Sequence, residues 1–304
     1  MRADALAGLT ASPKTLPPKW LYDDRGSALF DDITRLPEYY PTRAEREILA
    51  TYGVVIAKAS GATSLVELGA GTCDKTRVLL DAMQAAGSLE QYVGFDISEA
   101  TLRDALAALA SDYPATDIRG VVGDFEHHID RLPAGGPRLV AFLGGTIGNL
   151  LPDERARFFS SVAAVLEPGD GLLIGADMVK DPARIVAAYD DAAGVTAEFN
   201  RNVLLALNNR LDADFDHAAF EHVALWDDTN EWIEMRLRAT SDQRVTIGGL
   251  GLDVSFASGE ELRTEISAKF RRSRLEDELA TAGFEPFDWW TDRGDDFALA
   301  LAFL

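Results

Sequence analysis

The run Val66-Glu67-Leu68-Gly69-Ala70-Gly71-Thr72 sets two glycines one residue apart, between an apolar stretch and one with helical spacing. Glycine there lets the backbone turn sharply and approach a ligand closely. Three further features follow in order. Asp96 closes the next apolar run, where a carboxylate can accept from both hydroxyls of a ribose. Gly123-Asp124-Phe125 closes the third, offering a carboxylate to an adenine amino group and an aromatic wall beside it. Gly144-Gly145-Thr146-Ile147-Gly148-Asn149 closes the fourth, with small residues where a substrate must approach. Such a series suits a nucleoside cofactor held at successive strand ends. After Gly71 no third glycine opens the helix, and no Gly-Lys-Ser/Thr follows, so neither a dinucleotide fingerprint nor a phosphate loop is complete. Lys75 can reach a ligand carboxylate or stand as a solvated first-turn lysine.

These turns need a scaffold that alternates strand and helix. Leu65-Val66-Glu67-Leu68 predicts a strand and DKTRVLLDAMQAAG a helix; residues 92–95 predict a strand ending at Asp96, and TLRDALAALASDY a helix. Residues 138–143 and 171–176 predict further strands, with a helix from Pro152 between them. The alternation predicts a parallel, doubly wound α/β sheet. Ahead of it, Thr42-Arg43-Ala44-Glu45 predicts a capping box, with Glu45 reaching back to the helix start. After about Lys180 the pattern changes. AYDDAAGVTAEFNRNVLLALNNRL predicts helix with polar breaks, and HVALWDD, EWIEMRLRAT, RVTIGGLGLDVSF and TEISAKFR predict antiparallel strands of an α+β segment. The tail, LEDELATAGF then WWTD and DFALALAFL, predicts a helix and a strand hairpin that completes the earlier sheet, so the two domains interleave.

Composition narrows the partners. With 304 residues the chain can bury a core without staples. Its formal charge of −21, from 29 basic and 50 acidic residues, repels polyanions, so neither nucleic acid nor an anionic membrane is an expected partner. Cys73 is the only cysteine, which rules out an intramolecular disulfide and fits a reducing, cytoplasmic setting. MRADALAGLTASPK lacks the apolar centre of a secretory signal, and no apolar run reaches membrane-spanning length. His127, His128, His217 and His222 lack metal-ligand spacing with Cys73, so no metal is expected and the histidines read as surface or local hydrogen-bonding groups. Cys73 reads as a packed thiol, and the expected state is a monomer.

Glu67 to Thr72, ELGAGT, resembles motif I of the class I methyltransferases, which bind S-adenosylmethionine at the carboxyl edge of parallel strands. The competing reading is the nucleotide domain of a nicotinamide oxidoreductase. A longer resemblance is more specific. PKTLPPKWLYDDRGSALFDDITRLPEYYPTRAEREIL, VELGAGTCDKTRVLL, FLGGTIGNL, MVKDPARIVAAYDDAAGVTAEFNRNVL and TEISAKF closely resemble the histidine Nα-methyltransferases of ergothioneine biosynthesis, across nearly the whole chain. The resemblance implies a Rossmann-like methyltransferase domain over residues 44–179 plus 270–304 and a smaller α+β domain, binding histidine, over residues 1–43 plus 180–269. It also implies S-adenosylmethionine as donor, S-adenosylhomocysteine as product, and three successive methylations of L-histidine to its betaine, hercynine. Cofactor positions carried over are Gly69, Lys75, Asp96, Asp124 and Phe125; substrate positions are Tyr39, Asn149, Tyr189, Glu265 and Ser267.

Those side chains suit a free amino acid. Asn149 can donate to the carboxylate and accept from the amine, and Tyr189 can donate to the carboxylate. Glu265 and Ser267, two apart, share a face if they lie on a strand. Together a carboxylate and a hydroxyl can read both imidazole nitrogens, a pairing that tryptophan and tyrosine cannot match. Tyr22 and Tyr39 are candidates to help accept the proton, so the catalytic set is Tyr22, Tyr39 and Asn149. Two other readings remain: an Nα-methyltransferase of another aromatic amino acid, and a catalytically silent binding protein on this fold.

Overall fold

Strands with no polar alternation form the middle of a seven-stranded sheet. Ser64–Leu68, Arg138–Phe142 and Gly171–Asp177 are buried at every position, as strands covered on both faces must be. The computed structural model describes all residues except Asp74 and Ala134. Across the sheet the order is Glu285–Thr291, Phe297–Phe303, Gly171–Asp177, Arg138–Phe142, Ser64–Leu68, Gln91–Asp96 and Asp117–Val122. The last five pair in parallel, while Phe297–Phe303 runs antiparallel to both neighbours, so the C-terminal hairpin makes the sheet mixed rather than wholly parallel. Helices Pro41–Ser60 and Thr76–Ala86 contribute Ile48, Leu49, Ile56, Leu79, Leu80 and Met83 to the core on this sheet.

By its internal contacts the chain divides into two compact units, Pro41–Val179 with Phe270–Leu304, and Met1–Tyr40 with Lys180–Lys269. The second unit holds a four-stranded sheet, ordered Lys14–Thr15, Glu261–Ala268, Trp232–Ala239, Phe220–Asp227, and a hairpin of Gln243–Ile247 with Leu252–Phe256. A short 3-10 turn, Gly248–Leu250, splits what reads in sequence as one extended stretch. The long segment predicted as interrupted helix is two helices, Pro182–Tyr189 and Val195–Leu211. Phe199, Val203, Leu207 and Leu211, four apart, form the buried stripe of the longer one. It packs on the helix Asp24–Ile33, which opens with Asp23 accepting from the Gly26 N–H at 2.8 Å. A Cβ on Gly26 would sit 1.7 Å from the Leu21 carbonyl oxygen, so only glycine lets the turn from Leu21 through Tyr22 to Gly26 close.

A buried ion pair pins the fourth parallel strand of the chain at its start. Arg138 and Asp170 are each 3% exposed; the guanidinium meets the carboxylate at 2.6 and 2.8 Å and also donates to the Val165 carbonyl at 2.9 Å. Removing one partner leaves the other charge buried without compensation, at a cost of roughly 3–5 kcal/mol. Asp170→Ala is therefore expected to lose stability of that order in urea unfolding; a loss below about 1 kcal/mol would show the pair to be dispensable.

Candidate active site

In the unit built on the seven-stranded sheet, the glycine turn after Ser64–Leu68 has the backbone that the sequence requires. Gly69 and Gly71 have φ of +73° and +52°, and among the described residues, chain neighbours aside, no atom lies within 4 Å of where a Cβ on either would stand, so the turn is an open cradle. Asp96 stands at the end of the neighbouring strand. One carboxylate oxygen accepts from the Gly71 N–H at 2.9 Å and the other from the Ser98 N–H at 2.8 Å. A carboxylate has about four acceptor positions, so after holding both turns it can still take two ribose hydroxyls. Asp124 and Phe125 follow the third strand. Phe125 is packed edge-on to Phe142 and Phe158, with ring centroids 5.0 and 5.8 Å away, which fixes one face of a flat site. His127 and His128 bond locally: the Asp124 N–H donates to His128 Nδ1 at 3.1 Å, and His127 Nδ1 lies 3.4 Å from the Asp124 carboxylate. Asn149 ends the 3-10 turn Thr146–Asn149, half-buried, just after Gly144 and Gly145, whose φ values are +81° and +72°.

The predicted capping box is not formed. Glu45 lies fully buried in the first turns of Pro41–Ser60, and its carboxylate instead accepts from the Gly144 N–H at 2.7 Å and from Lys75. Burial explains the difference, because a carboxylate at this depth must be paired, whereas a capping one faces solvent. Gly175 makes room for it: a Cβ there would come within 2.3 Å of Glu45 Oε1. Glu45 thus joins the fourth strand end to Lys75 at the head of the helix Thr76–Ala86. Nothing in the local sequence separates this role from capping; only the fold brings residues 45, 75, 144 and 175 together.

Glu67 sits directly behind the turn, accepting from Thr76 Oγ1 and from the Tyr92 hydroxyl, the latter at 2.8 Å. Burial pushes its carboxyl from near 4.5 up to about 7, against the lowering pull of those two hydrogen bonds and of Lys75, with the Glu45 charge adding a smaller push. Cys73 is buried with its sulfur 3.3 Å from the Tyr92 hydroxyl, and burial together with the Glu67 charge pushes the thiol up to about 12. It is a packed, unreactive thiol.

The other unit gathers the remaining predicted residues. Glu265 and Ser267 lie on Glu261–Ala268, and a bulge at Thr264 decides which face they take. Before it Arg263 stands opposite Arg236; after it Glu265 stands opposite Met235 and Ser267 opposite Ile233. Without the extra residue Glu265 would fall on the other face, among the ion pairs of Arg236, Arg238, Glu234 and Glu261. Thr264 Oγ1 donates to Asn200 Oδ1 at 2.5 Å; Asn200 donates to His222 Nδ1 at 2.9 Å, and His222 Nε2 donates to the Tyr189 carbonyl at 2.8 Å. Asn200 Nδ2 can only donate, so His222 is the neutral Nε2–H tautomer. Burial lowers its pKa, which keeps it so. Neither His222 nor Asn200 carries a motif that sequence reading could use.

Tyr22, Tyr39 and Tyr189 belong to one aromatic cluster. Tyr22 meets Phe30 and Phe199 at 5.4 and 5.3 Å, Phe30 meets Tyr39 at 6.0 Å, and Tyr39 meets Tyr189 at 6.5 Å. The Tyr22 ring is only partly covered, but its hydroxyl end is enclosed, and burial and then the Glu265 charge raise its pKa far above the ordinary range. It is therefore a phenol that can orient or relay a proton, not a resident phenolate base. Lys269, one residue past the strand and fully buried, donates to Ser267 Oγ at 2.9 Å and to the Tyr189 hydroxyl at 3.1 Å. Sequence reading passed over Lys269 because a lysine at a strand end is ordinarily solvated. Among the described residues no group of three or more His, Cys, Asp or Glu could hold a metal ion, and no helix is long and apolar enough to cross a membrane.

A seven-stranded sheet in this order, with one antiparallel strand and a glycine cradle faced by a strand-end carboxylate, defines a class I S-adenosylmethionine-dependent methyltransferase. The model of the histidine-specific, S-adenosylmethionine-dependent methyltransferases matches residues 1–303, and the chain belongs to that family. It is 57% identical over 302 residues to the histidine N-alpha-methyltransferase of Mycolicibacterium smegmatis, covering 99% of this chain and 94% of that protein. To the histidine N-alpha-methyltransferase of Mycobacterium tuberculosis it is 54% identical, with the same coverage of 99% and 94%. Ergothioneine biosynthesis protein 1 of Neurospora crassa is 31% identical over 95% of this chain, which spans 33% of that larger protein.

The raised Glu67 carboxyl has a thermodynamic signature. Between about 4.5 and about 7 the native state keeps a proton that the unfolded chain has released, so stability falls as pH rises through that window and is level above it. The full drop is on the order of 3 kcal/mol. Glu67→Gln cannot titrate but keeps an oxygen for Thr76 and Tyr92. The melting temperature of the variant relative to the parent should climb from pH 5 to 7.5 and then level off; a difference independent of pH would exclude the shift.

Proposed function

We propose that this chain transfers methyl groups from S-adenosylmethionine to the α-amino nitrogen of L-histidine, three times, giving the betaine hercynine, an early step of ergothioneine biosynthesis. The observation that carries the reading is the pair Glu265 and Ser267, turned to one face of one strand by the bulge at Thr264. A carboxylate and a hydroxyl set two apart match the two nitrogens of an imidazole, and the relatives' names agree with that choice of substrate. The name of the Neurospora crassa relative supports the pathway.

When bound, S-adenosylmethionine supplies an electrophilic methyl group on a sulfonium. The residues present fit it: the open cradle at Gly69, the two remaining acceptor positions of Asp96, and Asp124 with Phe125 for the adenine. Lys75 gives one of its three donors to Glu45, which leaves others for the cofactor's carboxylate. For the substrate, Asn149 and Tyr189 take the carboxylate, Glu265 and Ser267 the ring, and Tyr39 a direct or water-mediated contact. The amine must be neutral to present its lone pair. Tyr22, held as a phenol, can accept from an amine N–H and so aim that lone pair; it passes a proton on only by releasing its own, and Tyr39 is the other candidate for this transfer. Most of the rate then comes from holding the nitrogen at near-attack distance. The faces of Tyr22, Tyr39 and Tyr189 suit the cation that grows with each methylation. A monomer acting in the cytoplasm, on a small molecule and without a metal, completes the reading.

Purified protein is expected to add one, two and three methyl masses to histidine, and none to tryptophan or tyrosine, by mass spectrometry. Glu265→Ala should lower kcat/KM for histidine about 10–100-fold, the value of a charged hydrogen bond, while S-adenosylhomocysteine binding is kept. A product from tryptophan or tyrosine instead of histidine would overturn the assignment of Glu265 and Ser267. Cofactor binding with no product from any amino acid would leave a silent protein on this fold.

A further inference from the structure

Asn200 lies fully buried on the helix Val195–Leu211 and bonds to three strands of the four-stranded sheet. Its amide nitrogen donates to His222 Nδ1 at 2.9 Å and to the Arg236 carbonyl at 3.0 Å, and its amide oxygen accepts from Thr264 Oγ1 at 2.5 Å. A carbonyl only accepts, so the atom facing Arg236 is the nitrogen, and the amide has one orientation. Thr264, also fully buried, sets its hydroxyl 3.0 Å from the Met235 carbonyl as well, so its single hydrogen is shared between two acceptors. Arg236 and Met235 face the residues on either side of the extra one, Arg263 and Glu265. Side chains therefore bind both facing carbonyls just where the bulge disturbs the ladder.

The unbroken register is not closed by charge. In it Glu265 would stand opposite Glu234, on the face that also carries Arg236 and Arg263. Arg236 meets Glu234 at 2.6 Å and Arg263 meets it at 3.5 Å, so a second carboxylate there would find two guanidiniums within reach. Buried polar groups decide instead. Without the amide of Asn200, the Arg236 carbonyl and His222 Nδ1 would each lose a hydrogen bond at a depth where the loss is costly. We propose that Asn200, acting with Thr264, is a positioning residue for the ring end of the substrate site: it holds the bulge in place and so keeps the Glu265 carboxylate on the substrate face. The inference rests on the histidine reading given above. It gives Asn200 no contact with the substrate; its effect reaches histidine through Glu265, and through Ser267 two residues further along the same strand.

The test is a double-mutant cycle on kcat/KM for histidine. Thr264→Val keeps the branched shape of the side chain and removes its hydroxyl. It should lower kcat/KM about tenfold in the unaltered protein, as a misplaced contact does, but about threefold or less in a protein that already carries Glu265→Ala. Thr264→Ser, which keeps the hydroxyl, should stay within about threefold of the parent. Asn200→Asp keeps an acceptor for Thr264 but turns an oxygen towards the Arg236 carbonyl and His222 Nδ1. It should follow T264V in size and in its dependence on Glu265. Thermal melting and S-adenosylhomocysteine binding check that each variant is folded, the cofactor turn belonging to the other unit. A folded T264V with the activity of the parent overturns the proposal, as does one whose loss is equal with and without E265A. Should T264V not fold, N200D decides by the same two comparisons. Absence of any methylated histidine from the unaltered protein would instead overturn the functional reading itself.

Discussion

Two carboxylates, Glu45 and Glu67, lie buried behind the glycine turn, and one ammonium, Lys75, serves both. Two ionised carboxylates at that depth would repel each other, and a single cation could not compensate both. The conflict is resolved by unequal treatment. Glu45 takes Lys75 and the Gly144 N–H, whereas Glu67 takes two hydroxyl donors and keeps its proton to about neutrality. Much of the cofactor side follows from this arrangement. It ties the head of the helix Thr76–Ala86 to the first strand through Thr76, and the fourth strand end to the helix Pro41–Ser60 through Gly144. The cradle of Gly69 and Gly71 is held from behind, which leaves its open side unobstructed.

The substrate side depends on a smaller device, one extra residue in a strand. Side-chain period in a strand is two, so a single insertion moves every later residue to the opposite face. Thr264 is that insertion. Its hydroxyl is held by Asn200, whose amide also orients His222, and His222 in turn holds the backbone at Tyr189. The bulge that turns Glu265 inward and the helix end that presents Tyr189 are therefore fixed by one continuous hydrogen-bonded chain. Asn200 is completely buried, and an asparagine with each polar atom engaged at that depth specifies one arrangement more sharply than an apolar side chain would.

What could be read from sequence divides along the same physical line. Four of the five parallel strands were legible as apolar runs, as at Leu65 to Leu68 and Leu139 to Phe142, whereas the edge strand Asp117–Val122, largely exposed and carrying Asp117 and Arg119, showed itself only at Val121 and Val122. The strand-end residues Gly69, Asp96, Asp124 and Asn149 were legible because chemistry in such a sheet collects at the carboxyl ends. Glu265 and Ser267 could be placed on one face from their spacing alone, yet which face that is depends on Thr264, and bulges leave little trace in composition. The helices Arg2–Thr10 and Asp24–Ile33 were missed; the first has almost no apolar periodicity, and the second lies in a segment that its prolines and aromatics make look irregular. Glu45 was misread for a different reason. A threonine followed three residues later by glutamate is a local signal, and local signals carry no information about burial by distant chain.

Each of the two units carries buried or half-buried groups that are one-way in hydrogen bonding. A hydroxyl, an amide or water can reverse roles to suit whatever arrives; an ionised carboxylate only accepts and an ammonium only donates. Asp96 uses this to hold two backbone N–H groups, and whatever capacity it has left can only accept. Lys269 uses it indirectly, through hydroxyls that it forces to accept. The hydroxyls beside these groups can take either role, and each is set by its charged or carboxylic neighbour: Thr76 and Tyr92 donate to Glu67, whereas Ser267 and Tyr189 accept from Lys269. The same side-chain type thus serves opposite ends of a hydrogen bond in the two units, and which end it serves follows from the buried group that the fold places next to it.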